Sequence, residues 1–209
     1  MIMQPVYPMA IAQIRLWSFA QECDEIGKRI TYVNLDKRAG VSKGWEEELF
    51  GLLKSYNISY LPFVPDAGHA KLLVMAENDK QTTPVVLTTE EEGVAFCCGA
   101  WLGGKRSVLL MQSSGVGNCI NMMSMIANCN FPFVTLVTMR GDFGEFNSWQ
   151  VPMGQATQPC LEAIGLTTHI AEHPDQLIRT VDAALYSAYS SDQRSAVLMS
   201  QKLIGRKEW

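Results

Sequence analysis

Three consecutive glutamates, Glu90, Glu91 and Glu92, stand directly before a segment that has almost no polar side chains. A carboxylate in the first turn of a helix is stabilised by roughly 0.3–1 kcal/mol through the helix dipole, and that explanation is sufficient for Glu91 and Glu92. Glu90 follows an apolar strand-like segment at once, so its side chain can point into a site instead of into water. A carboxylate held there can act as an acid, a base or a hydrogen-bond partner.

A second segment with chemical potential is QSSGVGN, residues 112–118. Gly115 and Gly117 would let backbone N–H groups come close to a ligand, and a helix that starts there would favour an anion. The segment lacks the Gly-Lys-Ser/Thr of a phosphate-binding loop and the third glycine of a dinucleotide-binding motif. Taken alone, it is equally consistent with a ligand loop before a helix and with a plain tight turn.

Alternating apolar segments indicate the elements that position these residues. Strand-like stretches lie at 58–64, 84–89, 107–112, 133–139, 167–170 and 195–200, with helix-like stretches between them. This alternation is typical of a doubly wound α/β fold, so we predict a mainly parallel six-stranded sheet with helices on both faces. The helix predicted at 90–104 has no polar face, which predicts burial on all sides.

The first 45 residues do not join this alternation. They predict an N-terminal helical extension, residues 1–45, ahead of an α/β domain at residues 46–209. In such a domain, ligands bind beyond the carboxyl ends of the strands. Four polar or glycine-rich segments fall there, at 64–69, 88–93, 112–118 and 139–154. We therefore expect the site at this edge.

Composition excludes several classes of function. The net charge of −4 argues against a nucleic-acid-binding surface. No apolar run approaches the roughly 20 residues that cross a membrane, and no basic leader precedes the first apolar stretch, so a cytoplasmic location is expected. The six cysteines have no C-x-x-C spacing, which disfavours a metal site in this chain.

The stretch from Thr88 to Asn121, TTEEEGVAFCCGAWLGGKRSVLLMQSSGVGNCIN, carries a family resemblance. Its features are a Glu nine residues before Gly99, a Gly-Lys turn, an apolar strand and a Q-S-S-G-x-G-N-x-x-N segment. It resembles the pyrimidine-binding domain of thiamine diphosphate-dependent enzymes. Within that superfamily it is most similar to the alpha subunit of sulfopyruvate decarboxylase and to the matching half of phosphonopyruvate decarboxylase. VPD at 64–66 and RGDFGE…VPMGQAT at 140–157 extend the resemblance over about residues 46–200.

The resemblance implies a role for Glu90 and for most residues of the segment 112–118. Glu90 would hydrogen-bond a ring nitrogen of the aminopyrimidine, which prepares the thiazolium carbon of thiamine diphosphate to attack a 2-oxo acid. The remaining cofactor-binding residues that it implies are Gln112, Ser113, Ser114, Gly115, Gly117 and Asn118.

The chain lacks the Gly-Asp-Gly signature of the diphosphate-binding domain, because Phe143 follows Gly141 and Asp142 where glycine would stand. The resemblance therefore implies that Mg²⁺ and the diphosphate are held by a separate beta-type subunit, with no metal ligand in this chain. The expected assembly is a heteromeric complex in which the chain also self-associates.

The resemblance also implies a small anionic 3-substituted pyruvate as substrate, of the sulfopyruvate or phosphonopyruvate type. Arg140 is the candidate cation, because guanidinium matches tetrahedral oxyanions, and pairing with Asp142 or Glu145 is the alternative. Asp66 and His69 follow the VPD strand end on the ligand side. His69 could shuttle protons, but a helix-capping or solvent-exposed role is favoured.

Two other functions remain open from the sequence. One keeps the cofactor but joins the substrate carbon to an aldehyde, which is carboligation. The other is a non-catalytic α/β scaffold or binding subunit, although Glu90 and the intact QSSGVGN segment count against it.

Overall fold

The structure, a computed structural model, describes residues 44–206. Its strands are β1 Ile58–Phe63, β2 Thr83–Val86, β3 Arg106–Ser107, β4 Leu109–Gln112, β5 Phe133–Thr138, β6 Thr167–Ala171 and β7 Arg194–Met199. Because β3 and β4 both pair with β1 and only Val108 separates them, they form one interrupted strand. The six predicted strands are confirmed in this sense.

The helices alternate with the strands along the chain. They are α1 Trp45–Ser55, α2 Ala70–Glu77, α3 Glu90–Leu102, α4 Ser113–Asn128, α5 Val151–Ala163, α6 Pro174–Ser191 and α7 Gln201–Ile204, with short 3-10 turns at Ala67–His69 and Ser148–Gln150. The predicted N-terminal helical extension, residues 1–45, lies outside the described residues except for Gly44 and Trp45, which start α1.

The sheet is parallel throughout, in the order β2-β1-β4-β5-β7-β6. The chain leaves β1 towards β2 on one side and leaves β4 towards β5 on the other. The strand order thus reverses between β1 and β4, and a crevice at such a reversal is the usual ligand position in open α/β sheets. The doubly wound α/β prediction is confirmed.

Each face of the sheet carries its own hydrophobic core. Val108 and Leu110 face the core under α1, α2 and α6, whereas Leu109 and Met111 face the core under α3, α4 and α5. This alternation follows from the two-residue period of a strand, and it explains why β4 and β5 are apolar on both sides.

Two predictions about helices are wrong. First, α3 is not buried all round, since Ala95 and Gly99 are exposed and Leu102 is 76% exposed. The helix packs on the outside of the sheet and beside α4, so its outer stripe meets solvent even though that stripe is apolar. Second, residues 113–118 are not a loop, because α4 begins at Ser113 directly after the last residue of β4.

Within residues 44–206, no helix combines the length and the apolar character needed to cross a membrane.

Candidate functional site

Glu90 is the first residue of α3 and is only 8% exposed. Its Oε2 accepts a hydrogen bond of 2.9 Å from Nδ2 of Asn118 on α4. The neighbouring Glu91 and Glu92 are exposed. A carboxylate that is buried and oriented by a neutral amide, at the carboxyl edge of a parallel sheet, is equipped to exchange a proton with a bound ligand.

Gly115 makes room for this carboxylate. A Cβ atom at position 115 would lie 2.5 Å from both Cδ and Oε1 of Glu90, far closer than real contacts allow. Because residues three and four apart share a helix face, Gly115, Asn118 and Cys119 all lie towards Glu90. The structure thus gives Gly115 a role that was not predicted, the close approach of the Glu90 side chain, whereas its approach of backbone N–H groups to a ligand stays a prediction.

Burial and nearby carboxylates also act on the thiol of Cys119. Its pKa is raised to about 12, first by burial and then by the negative charges of Glu90 and Glu91.

Glu92 has a capping role at the start of α3. Its Oε2 accepts a 2.9 Å hydrogen bond from the backbone N–H of Thr88, just ahead of the N-cap Thr89. The side chain therefore satisfies a donor at the start of α3 in the manner of a capping box.

A series of hydrogen-bonded polar side chains links the carboxyl ends of β1, β4 and β5. Ser114 Oγ donates to Gln112 Oε1 at 2.9 Å, and Gln112 Nε2 donates to Asp66 Oδ1 at 2.9 Å. Asp66 Oδ2 accepts from Thr138 Oγ1 at 2.6 Å and from the backbone N–H of Gly68 at 3.2 Å. The structure thus joins three predicted site residues, Asp66, Gln112 and Ser114, at the reversal of the strand order.

Ser113 and Gly117 fasten α4 to its neighbours. Ser113 is fully buried, and its Oγ accepts a 3.0 Å hydrogen bond from the backbone N–H of Arg140. Gly117 lies against Met153 of α5, whose sulfur would be 3.2 Å from an added Cβ. Both residues hold the start of α4 beside the segment that follows β5.

Arg140 forms a buried ion pair with Glu145. Its Nε and Nη2 each donate to a Glu145 oxygen at 2.5 Å, and the side chains are only 8% and 3% exposed. Arg140 and the backbone N–H of Asn147 hold the pKa of Glu145 down at about 2. The structure therefore shows the pairing that was the alternative for Arg140, whereas its proposed contact with a substrate anion stays a prediction.

His69 is buried, with 2% of its surface exposed. It occupies the N-cap position of α2, but its side chain makes no capping bond, and Nε2 has no hydrogen-bond partner. Burial lowers the pKa of the imidazole and favours its neutral form. The favoured capping or solvent-exposed role for His69 is therefore wrong, because α2 packs this side chain inward, and proton shuttling stays a prediction.

Three polar residues of the edge were not predicted as site residues. Thr138, the last residue of β5, donates a hydrogen bond to Asp66. Glu145 forms an ion pair with Arg140. Gln201, the first residue of α7, makes hydrogen bonds with the segment that follows β5. The signal for Thr138 was a polar residue at the end of an apolar strand. Gln201 follows the carboxyl end of β7, and the strand-end rule applied to that strand would have found it.

The described residues contain no group of three or more His, Cys, Asp or Glu side chains able to hold a metal ion.

The sheet and its helices define the class of protein. A solved structure from Mycobacterium smegmatis, provisionally assigned as a thiamin diphosphate-dependent enzyme, superimposes with a TM-score of 0.60 at 15% identity, over 76% of this chain and 30% of its own. The chain therefore has the fold of a domain from a thiamin diphosphate-dependent enzyme.

Sequence relatives identify the family more narrowly. The chain is 31% identical over 154 residues to the sulfopyruvate decarboxylase subunit alpha of Methanococcus maripaludis, which covers 73% of this chain and 92% of the relative. It is also 31% identical to the sulfopyruvate decarboxylase of Methanosarcina acetivorans, over 76% of this chain but only 40% of the relative. The chain belongs to the family of sulfopyruvate decarboxylase alpha subunits. No family model matches it.

Proposed function

We propose that this chain is the pyrimidine-binding subunit of a thiamine diphosphate-dependent decarboxylase. Its substrate would be a small anionic 3-substituted pyruvate, of the type that the relatives' names give. The observation that carries the proposal is the buried Glu90 carboxylate, which Asn118 orients and for which Gly115 leaves room.

These residues fit the pyrimidine end of the cofactor. Glu90 presents a carboxylate at the carboxyl edge of the sheet, and one of its oxygens is already held by an amide donor. The absence of a side chain at Gly115 keeps the carboxylate in place instead of pushing it towards solvent. When bound, the cofactor supplies a carbon nucleophile and an electron sink for the loss of carbon dioxide.

Glu90 performs the proton chemistry assigned to this chain. Its carboxyl group would exchange a proton with a ring nitrogen of the aminopyrimidine, and Asn118 would fix the direction of the carboxylate. Asp66, Gln112 and Ser114 lie at the ends of β1 and β4, and their mutual hydrogen bonds fix their side chains before a ligand arrives. Such preorganisation favours a positioned proton transfer.

A companion subunit would hold the diphosphate and Mg²⁺. We define it as a protein whose sequence carries Gly-Asp-Gly and a downstream Asn. The family name, subunit alpha, supports a partner chain, and the match to only 40% of the Methanosarcina acetivorans relative supports further chain beside this one. The Glu90 site would then lie between this chain and its companion, within a complex in which this chain also self-associates.

The test is reconstitution. The full chain is co-expressed with the companion subunit and assayed on a panel of 2-oxo acids with thiamine diphosphate and Mg²⁺. We expect carbon dioxide and an aldehyde from an anionic 3-substituted pyruvate. An acyloin product would assign carboligation instead, and no turnover of any 2-oxo acid would contradict an enzymatic role.

The three glutamates provide the residue-level test of the same proposal. Glu90→Gln should abolish turnover, since the amide cannot exchange the proton, whereas Glu91→Gln and Glu92→Gln should retain most of it. The binding of thiamine diphosphate, followed by calorimetry, separates lost binding from lost chemistry. Equal losses in all three variants would show that Glu90 has no special role.

A further inference from the structure

The segment after β5 exposes aromatic side chains beside the site. Trp149 is 85% exposed and Phe143 is 52% exposed, and both lie between Gly141 and Gln150. We call residues 141–150 the aromatic loop. A single exposed hydrophobic residue needs no explanation, but three exposed aromatic residues within seven positions, Phe143, Phe146 and Trp149, are unusual for a surface that faces only water.

The aromatic loop is held in one conformation by its own polar groups. Glu145 accepts hydrogen bonds from Arg140, from the backbone N–H groups of Gly141 and Asn147, and from Nε2 of Gln201. Gln201 Oε1 in turn accepts from the backbone N–H groups at positions 142 and 143. Glu145 and Gln201 thus hold the backbone of the loop, while the rings of Phe143 and Trp149 stay exposed.

Such an arrangement favours protein association. Trp, Tyr and Arg are the residues that most often carry the binding energy of an interface. A loop that is ordered before binding loses less conformational entropy when a partner docks. Asn147 Oδ1 also accepts from the backbone N–H of Trp149, which fixes the backbone that presents the indole.

The position of the aromatic loop selects the partner. Arg140 directly precedes the loop, and its backbone N–H donates a hydrogen bond to Oγ of Ser113 at the start of α4. The same helix carries Gly115 and Asn118. The loop and the Glu90 site therefore share the carboxyl edge of the sheet. A chain that completes the Glu90 site must approach this edge.

We propose that the aromatic loop is the docking surface for the companion subunit, with Trp149 as its anchor. This inference rests on the proposed function, because the companion is the chain that would hold the diphosphate end of the cofactor.

The experiment measures association without reference to turnover. The full chain and the companion subunit are purified, and their dissociation constant is determined by calorimetry and sedimentation velocity. We expect Trp149→Ala to weaken association by at least about tenfold, as truncation of an aromatic anchor does, and Trp149→Phe to restore much of it. Because Trp149 is exposed, its replacement should leave the melting temperature of the isolated chain unchanged.

The matched control is Tyr186→Ala. Tyr186 is 64% exposed and lies near the end of α6, which runs back from the carboxyl edge, so it belongs to the opposite edge of the sheet. Its loss should leave the dissociation constant within about twofold of wild type, because it lies outside the proposed interface.

The possible outcomes separate this inference from the proposed function. A Trp149→Ala chain that binds the companion as wild type does would overturn the docking surface, as would a change confined to self-association of the chain. A wild-type chain that does not bind the companion would also overturn it. Normal association of the wild-type chains without decarboxylation of any 2-oxo acid would instead contradict the proposed function and leave the docking surface supported.

Discussion

At the scale of single residues, the environment distinguishes three identical side chains. Glu91 and Glu92 are exposed at the start of α3, and Glu92 bonds a backbone N–H there. Glu90 is turned inward to Asn118. A residue one position along a helix points about 100° away from its neighbour, so adjacent carboxylates of one helical turn can face a ligand and solvent respectively.

Gly115→Ala tests the close approach of Glu90. The added methyl group would lie 2.5 Å from the carboxylate carbon, so either Glu90 or α4 must move. We expect the affinity for thiamine diphosphate to fall by at least about tenfold, as the carboxylate leaves its position, and the free energy of unfolding to fall by about 1–3 kcal/mol. Calorimetry with the reconstituted complex and urea denaturation measure the two effects.

Gly99→Ala is the matched control for this substitution. Gly99 also lies within a helix, but no atom lies within 4 Å of an added Cβ. Alanine there should be neutral or stabilise the chain by up to about 1 kcal/mol, because it favours a helix more than glycine does. If both alanine variants bind the cofactor equally well, the tight contact at Gly115 has no functional consequence.

At the scale of elements, the sequence predicted where helices lie better than which side of them is buried. The exposed stripe of α3 carries Ala95, Gly99 and Leu102, so no polar residue marks it in the sequence. These residues are exposed because α3 lies on the outside of the sheet, and the sequence pattern does not reveal that position. Similarly, a G-x-G segment is consistent with a loop, whereas α4 starts at Ser113, whose Oγ accepts a hydrogen bond from the backbone N–H of Arg140.

The aromatic loop contains Glu145, which forms a buried ion pair with Arg140. Glu145→Gln would leave the buried Arg140 guanidinium without its counter-charge. Removal of one partner from a buried ion pair typically costs about 3–5 kcal/mol, so we expect a loss of about 3 kcal/mol in the free energy of unfolding. Urea denaturation at neutral pH measures this. Glu172→Gln, which breaks an exposed pair with Lys202, should cost less than about 1 kcal/mol.

The same pair predicts a pH dependence. The pKa of Glu145 is lowered from 4.5 to about 2 in the folded chain, chiefly by the hydrogen bonds from Arg140. A lowered carboxyl pKa stabilises the folded state above the unfolded pKa, and this stabilisation is lost as the pH falls towards 2. The difference in unfolding free energy between wild type and Glu145→Gln should therefore shrink between about pH 4.5 and 2. A difference that stays constant over this range would contradict the lowered pKa.

At the scale of the whole molecule, the alternation of apolar segments was sufficient to predict the α/β class and all six strands. It also predicted a site at the carboxyl edge, where Asp66 and Gln112 share a hydrogen bond and Glu90 accepts one from Asn118. The particular partners were not predictable, because Asn118 meets Glu90 only through the packing of α4 against α3. The Arg140–Glu145 pair could be named from the sequence only as an alternative, since loop conformation decides it.

The buried thiols all belong to the core under α3, α4 and α5. Among the described residues, Cys97, Cys98 and Cys119 are buried, whereas Cys129 is exposed. Burial raises the pKa of Cys97 to about 12 and that of Cys98 to about 11. We expect iodoacetamide to label Cys129 in the native chain and the three buried cysteines only after denaturation, as peptide mass spectrometry would show. Rapid native labelling of Cys119 would indicate that the Glu90 site opens.

The raised pKa of Cys119 affects how readily its sulfur reacts with an aldehyde. A decarboxylase of 2-oxo acids releases an aldehyde, and thiolates add readily to aldehydes. Burial raises the pKa of Cys119 to about 12, so its thiol is almost entirely neutral at pH 7. Burial first, and the negative charges of Glu90 and Glu91 second, thereby keep the sulfur of Cys119 in its unreactive thiol form.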